Sequence, residues 1–335
     1  MKPFKYIIIP FSFLLISYAL LAQTPFLRPH QMFRGKEEYN VKVIYQDESG
    51  WIWFGTDRGL FRFDGISYTH FTDSDGLAEN EITAIKSKAD GTLWIGHKNG
   101  QISIKYANTF SVFSPEEGIG TVEISDIVTD SIGNIWYSTL GEGVYKFDGR
   151  YLTNLNTDDG LSDDNVYNIE IDQNGVLWFA TDYGITRYLD GKCEVISMKD
   201  GLIDNIVRVM KVSKDGRLWL GTEEQGLTIY DPKNKTFRNI DGWDYGAITG
   251  FTMSLENDIW ISTERQGLIQ LKLNEGFEPF YKKVTILQGL VSNRLSTIVK
   301  DREENIWIGG KQGVIQALPP VFEFLNKSNG TPFEM

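Results

Sequence analysis

A tryptophan returns along this chain at Trp53, Trp94, Trp136, Trp178, Trp219, Trp260 and Trp307, at intervals of 41, 42, 42, 41, 41 and 47 residues. A unit of that length cannot bury its apolar side alone, so successive copies must stack on one another. Each copy contains four short runs with strand character, separated by turn residues. The period predicts an all-β fold, a seven-bladed β-propeller with four-stranded antiparallel blades.

In each unit the first run carries apolar residues three apart, Val41 and Ile44 in the first copy and Leu295 and Ile298 in the last. A turn follows that pairs an acid six before the Trp with a Gly three before it: Asp47 with Gly50, Asp130 with Gly133, Asp172 with Gly175. Gly accepts a positive φ and Asp bonds the turn's own backbone. The acids therefore read as structural.

The second run holds the Trp and, two residues on, a small residue: Gly55, Gly96, Ser138, Ala180, Gly221, Ser262 and Gly309. Alternation puts ring and small residue on one face, where a bulky ring beside a gap lets neighbouring blades interdigitate. All seven Trp are expected to be structural. The third run starts at a Gly and ends in turns such as Asp64-Gly65. Fourth runs follow at Tyr68–Phe71, Tyr151–Leu155 and Thr285–Leu287, among others, and then connectors of the form Asp75-Gly76-Leu77.

The extra residues between Trp260 and Trp307 fall in Leu271–Lys283, which reads as a lengthened hairpin tip. Ring closure stays open at this level: either Val321–Leu325 completes blade seven or the segment 24–34 takes that edge.

Outside the repeats, Lys2 and Lys5 precede an apolar run from Ile7 to Leu21 and a small residue at Ala22. That is the shape of a signal peptide. The expected organisation is a signal peptide over 1–22, an N-terminal arm over 23–38, the propeller over 39–325 and a tail over 326–335. A periplasmic or secreted location follows, after cleavage near Ala22.

The net charge of −12 argues against a nucleic-acid partner. Cys193 is the one cysteine, so no intramolecular disulfide forms, and only three histidines are present. No metal site or cofactor is expected; Asp73, Ser74, Asp75 and Gly76 lack the further carboxylates of a calcium loop.

The full unit, Asp-x-x-Gly-x-x-Trp-x-Gly-Thr-x-x-Gly-Leu-x-x-Phe-Asp-Gly followed by Asp-Gly-Leu, resembles the two-component regulator propeller repeat. The match is clearest at Gly50–Gly65, Gly133–Gly149 and Gly175–Gly191. That family forms periplasmic sensor regions of hybrid two-component systems, and members often sense oligosaccharides. The resemblance implies a ligand-binding sensor module that acts through a membrane histidine kinase or another signalling protein. It carries over no catalytic residues.

In a propeller the loops leading into the first strands and those between second and third strands share one face. The second-to-third loops offer Arg58, Lys98, Glu142, Tyr183, Glu224, Arg265 and Lys311, where the copies differ most. The loops leading into first strands offer Tyr39, Asn80, Asn165, Asn205, Tyr245 and Arg294. Amides, Arg and Tyr suit hydroxyl-rich ligands such as oligosaccharides. Two other readings stand beside this one: a propeller lyase or hydrolase built on Glu142, Glu224 or Arg265, and a scaffold on which another protein docks.

Overall fold

A computed structural model of the chain describes residues 26–30, 38–116, 118–253, 258–273 and 278–318. The expected signal peptide, the tail and Val321–Leu325 lie outside the described residues. The chain forms seven four-stranded antiparallel sheets. Each first strand packs on the first strand of the next sheet, and that of the seventh packs on that of the first. The protein is a seven-bladed β-propeller with its first strands around a central channel. Among the described residues no helix is long and apolar enough to cross a membrane.

Blade one runs through Val41–Gln46, Ile52–Thr56, Gly59–Phe63 and Tyr68–Phe71, from the channel outwards. In the first strand the register slips between Val41 and Val43, and the same bulge recurs in the other six blades. A bulge adds one residue to the alternation of a strand. Residues three apart then bury together, which is why the apolar residues of the first run are spaced by three.

Closure uses the N-terminal side. Phe26–His30 pairs antiparallel with Gly313–Leu318, with His30 opposite Val314. Blade seven is thus completed from the start of the chain, and its edge is not left unpaired.

The second strands are buried along their whole length in every blade. A Cβ built on Gly55 would meet Ile82 Cγ2 of the next blade at 2.6 Å. One on Gly309 would meet Val41 Cγ1 at 2.7 Å, so the same interdigitation closes the ring.

The turn acid does more than the sequence suggests. Asp47 Oδ1 accepts from the Ser49 and Trp51 amides at 2.9 and 3.1 Å, while Oδ2 accepts from the Trp53 indole at 2.7 Å. The Asp130–Trp136 and Asp301–Trp307 pairs repeat the indole bond at 3.1 and 2.7 Å. Blade two has Lys88 in place of the acid, and the buried Trp94 Nε1 has no partner among the described residues. The turn backbone is nevertheless the same, with Lys88 N bonded to Thr92 O and Gly91 N to Lys88 O.

An acceptor introduced there should satisfy the indole. Lys88→Asp combined with Asp90→Asn, which avoids adjacent acids, is expected to stabilise the protein by about 1 kcal/mol. A urea-unfolding midpoint no higher than that of the parent would contradict this role for the acid.

Two expected features shift. The outer strand of blade six is Pro279–Val284, paired with Leu268–Leu273, rather than Thr285–Leu287. Ile286–Gln288 is instead a 3-10 turn, because the Thr285 side chain accepts from the Leu287 amide and so caps it. The longer hairpin is where the extra residues between Trp260 and Trp307 go, and its tip, 274–277, lies outside the described residues. The connectors at Asp73–Asp75, Thr157–Asp159 and Met198–Asp200 are the same capped turn. Each ends at a Gly with positive φ, 105° at Gly76, which lets Leu77 fold under and bury.

Candidate functional site

The loops offered by the sequence lie on one face, as the strand directions require, but their side chains do not converge on a single pocket. Tyr39 is only 6 % exposed and packs edge-on against Phe61 at 5.5 Å. The Arg58 guanidinium lies 5.5 Å above its ring. Burial in the first strand's lead-in makes Tyr39 a wall rather than an open contact.

Asn80 and Asn205 have structural duties. Asn80 Oδ1 accepts from the Asp73 amide at 2.9 Å, and Asn205 Oδ1 from the Met198 amide at 3.0 Å. Each holds the start of its connector turn. In the connector before blade four the equivalent is Asp164, bonded to the Thr157 amide at 2.8 Å. Asn165 is one residue out of step and forms an isolated bridge with Leu140.

The charged candidates are mostly paired or outward. Lys98 bonds Glu81 at 3.1 Å, and Lys42 bonds the same carboxylate from within blade one. Burial works against Glu81, yet the two ammonium groups hold its carboxyl below the usual range. Glu142 accepts from the Tyr145 hydroxyl at 3.0 Å. Burial, reinforced by Glu142, pushes that phenol up to about 12.

Glu224 and Tyr183 are exposed, Tyr183 packing its backbone amide on Thr181 Oγ1. Arg265 lies 3.5 Å from its neighbour Glu264. Lys311 and Arg294 share a backbone bond, Lys311 N to Arg294 O at 3.1 Å. Tyr245 packs with Trp243 and Tyr281 at 5.1 and 5.7 Å.

Beside these lies a polar group that the sequence reading passed over. Tyr167 donates to Asp182 at 2.7 Å, Arg208 sits 4.4 Å over the Tyr167 ring, and Arg208 also bonds Glu223. Tyr167 and Arg208 fill the first bulge position of their strands, as Lys42 does in blade one. That position differs among the copies, holding Lys42, Thr83, Ser125, Tyr167, Arg208, Thr249 and Ser296. Its variability was the available signal.

The channel itself holds a cavity of about 660 Å³, lined by Tyr45, Lys86, Asp126, Glu170, Lys211 and Thr297, among others. Its lining reaches Glu48 and Arg302, in the turns after the first strands. It therefore opens on the face opposite the thirteen candidates, none of which lines it. Asp126 Oδ2 accepts from Asn168 Nδ2 at 2.6 Å and from the Ile169 amide at 2.9 Å, and Asn168 Oδ1 accepts from the Met210 amide at 2.8 Å. Side chains thus tie blades three, four and five along the channel wall. Among the described residues no three His, Cys, Asp or Glu side chains are placed to hold a metal ion.

The fold and its repeated turn, Trp and connector define a seven-bladed propeller built from one recurring unit. The chain carries the repeats of the family described as two component regulator propeller, matched at residues 35–58, 160–183 and 201–224. No curated protein matches the sequence.

Among solved structures, it is similar to one described as the extracellular domain of the one component system BT4673 from B. thetaiotaomicron. Identity is 25 % and the TM-score 0.73, over 86 % of this chain and 39 % of that one. The extracellular domain of the hybrid two component system BT3049 from the same organism aligns at 22 % identity and a TM-score of 0.74, over 89 % and 42 %. The chain therefore spans about two-fifths of the length of these relatives. Virginiamycin B lyase from Staphylococcus aureus, solved with quinupristin, aligns at 13 % identity and a TM-score of 0.70, over 88 % and 100 %. The likenesses to the BT3049 domain and to the lyase are of fold alone.

Proposed function

We propose that the chain is an extracytoplasmic, non-catalytic sensor module that recognises an oligosaccharide or similar small ligand and acts through a signalling partner. The likeness to the BT4673 extracellular domain, over 86 % of the chain, carries this reading. The leader-like residues 1–22 support the location. Variable loops around a uniform scaffold support recognition, since ligands are bound where a rigid frame presents differing side chains.

An enzyme would need an acid or base with a partner group and a tuned pKa within reach of a bound substrate. Glu142 is bonded to a phenol and Glu224 is solvated, which favours binding over catalysis.

The test is thermal unfolding of the purified chain against a panel of neutral and acidic oligosaccharides. A ligand present at a hundred times its dissociation constant adds about 2.7 kcal/mol to the native state. If no glycan moves the midpoint while a co-expressed membrane kinase is captured, recognition belongs to the partner and the ligand-sensor reading fails.

A further inference from the structure

We propose that the seam between blades seven and one holds a binding site for a neutral, hydroxyl-rich molecule of about disaccharide size. It rests on the sensor reading and adds a site on the face away from the variable loops. The seam is unlike the other six junctions because blade seven takes its outer strand, Phe26–His30, from the start of the chain.

A cleft of about 520 Å³ opens there, between that strand and the turns of blades one and seven. The volume lies within the roughly 300 to 1,000 Å³ of small-molecule sites. Its walls are aromatic: Phe63 stacks on Tyr68 at 4.7 Å and meets Trp307 edge-on at 5.9 Å. His30 spans the cleft, with Nε2 3.1 Å from Gln316 Oε1 and Nδ1 2.7 Å from the Tyr68 hydroxyl. Burial lowers the His30 pKa, so the ring is neutral and takes one donor and one acceptor role.

The charges choose the ligand. Asp64, Asp301 and Glu303 line the cleft with Arg28. Three carboxylates against one guanidinium repel an anion. Asp301 is consumed by Asn305 and Trp307 and Asp64 by Ile66 and Ser67 of its own turn, but Glu303 is exposed and, beyond the bond it accepts from Gln46, retains acceptor capacity. Arg28 has no carboxylate at ion-pair distance among the described residues, and it lines the same cleft with five N–H donors to offer. Donors and acceptors in balance between aromatic walls suit a sugar, whose ring presents hydroxyls at its edge and C–H groups on its faces.

Calorimetric titration of the full chain with maltose, cellobiose and xylobiose tests this, alongside amide exchange with and without each sugar. At least one disaccharide should bind, and bound sugar should slow exchange in Phe26–His30 and Gly313–Leu318. Arg28→Gln removes an exposed cation with no described ion pair, so the fold should tolerate it. That change should weaken binding about tenfold or more, as expected for a charged hydrogen-bond donor.

Binding that Arg28→Gln leaves intact, with protection confined to the variable-loop face, overturns the seam site and leaves the sensor reading standing. No binding by any of the three sugars also overturns the seam site, while the oligosaccharide panel still decides the sensor reading.

Discussion

Trp178→Ala should lower the unfolding free energy by about 3 to 5 kcal/mol, the range for deleting a buried aromatic ring. The indole is 1 % exposed. It sits in one cluster with Val207, Met210, Leu218, Leu220 and Tyr230, all of them in blade five. Tyr230 meets it edge-on at 6.2 Å, and Asp172 accepts its N–H at 3.4 Å. Truncation therefore opens a cavity between two blades and also leaves the half-buried Asp172 carboxylate short of a donor.

Trp178→Phe should cost less, because most of the ring volume stays. Urea unfolding of the three proteins measures both differences. An alanine variant within 1 kcal/mol of the parent, a threshold well under the cost of a core cavity, would mean that the ring is not a spacer between blades.

Most of the architecture is legible in the residues because a propeller states its rules seven times. Trp53 and Gly55 have equivalents in every blade, so the need for a ring beside a gap shows as repetition, and the Ile82 contact at Gly55 gives the reason. The three-residue spacing of Val41 and Ile44 was visible, but its cause, the bulge, was not, since nothing in the composition of a strand marks an unpaired residue. Closure was undecidable for a related reason: both candidate segments are short and contain residues suited to a strand, and pairing with Gly313–Leu318 depends on three-dimensional proximity.

The candidate site was less legible. Variation at a loop position marks freedom from the blade's demands, and that freedom serves solvent as well as a ligand. Asn80 and Asn205 looked like free amides, yet they cap turns seven residues away. The seam cleft could not be read at all, because Arg28 and Gln316 come from opposite ends of the propeller and meet only when the ring closes.

Stability should also fall as the pH is lowered from 7 towards 4, and His97 should account for about 2 to 3 kcal/mol of the loss. Blades one, three, four, five and six place Thr56, Thr139, Thr181, Thr222 and Thr263 at this end of the second strand; blade two places His97 there. Its side chain is fully buried, with Nε2 2.7 Å from Ser103 Oγ. Nδ1 makes no hydrogen bond of good geometry, although the Glu79 and Glu81 carbonyls lie close enough to favour the protonated ring slightly.

Burial outweighs that effect and pushes the pKa down to about 4, from 6.5. Between those values the unfolded chain binds a proton that the folded chain refuses. Stability from this group is therefore complete above pH 6.5, falls as the pH drops towards 4, and is level below it. His97→Gln removes the titration while keeping a polar group opposite Ser103. Urea midpoints at pH 7 and pH 4.5 should converge in the variant by that amount relative to the parent. Carboxylates and His30 titrate alike in both proteins and cancel in the comparison, so equal pH slopes would show that His97 is not the buried base.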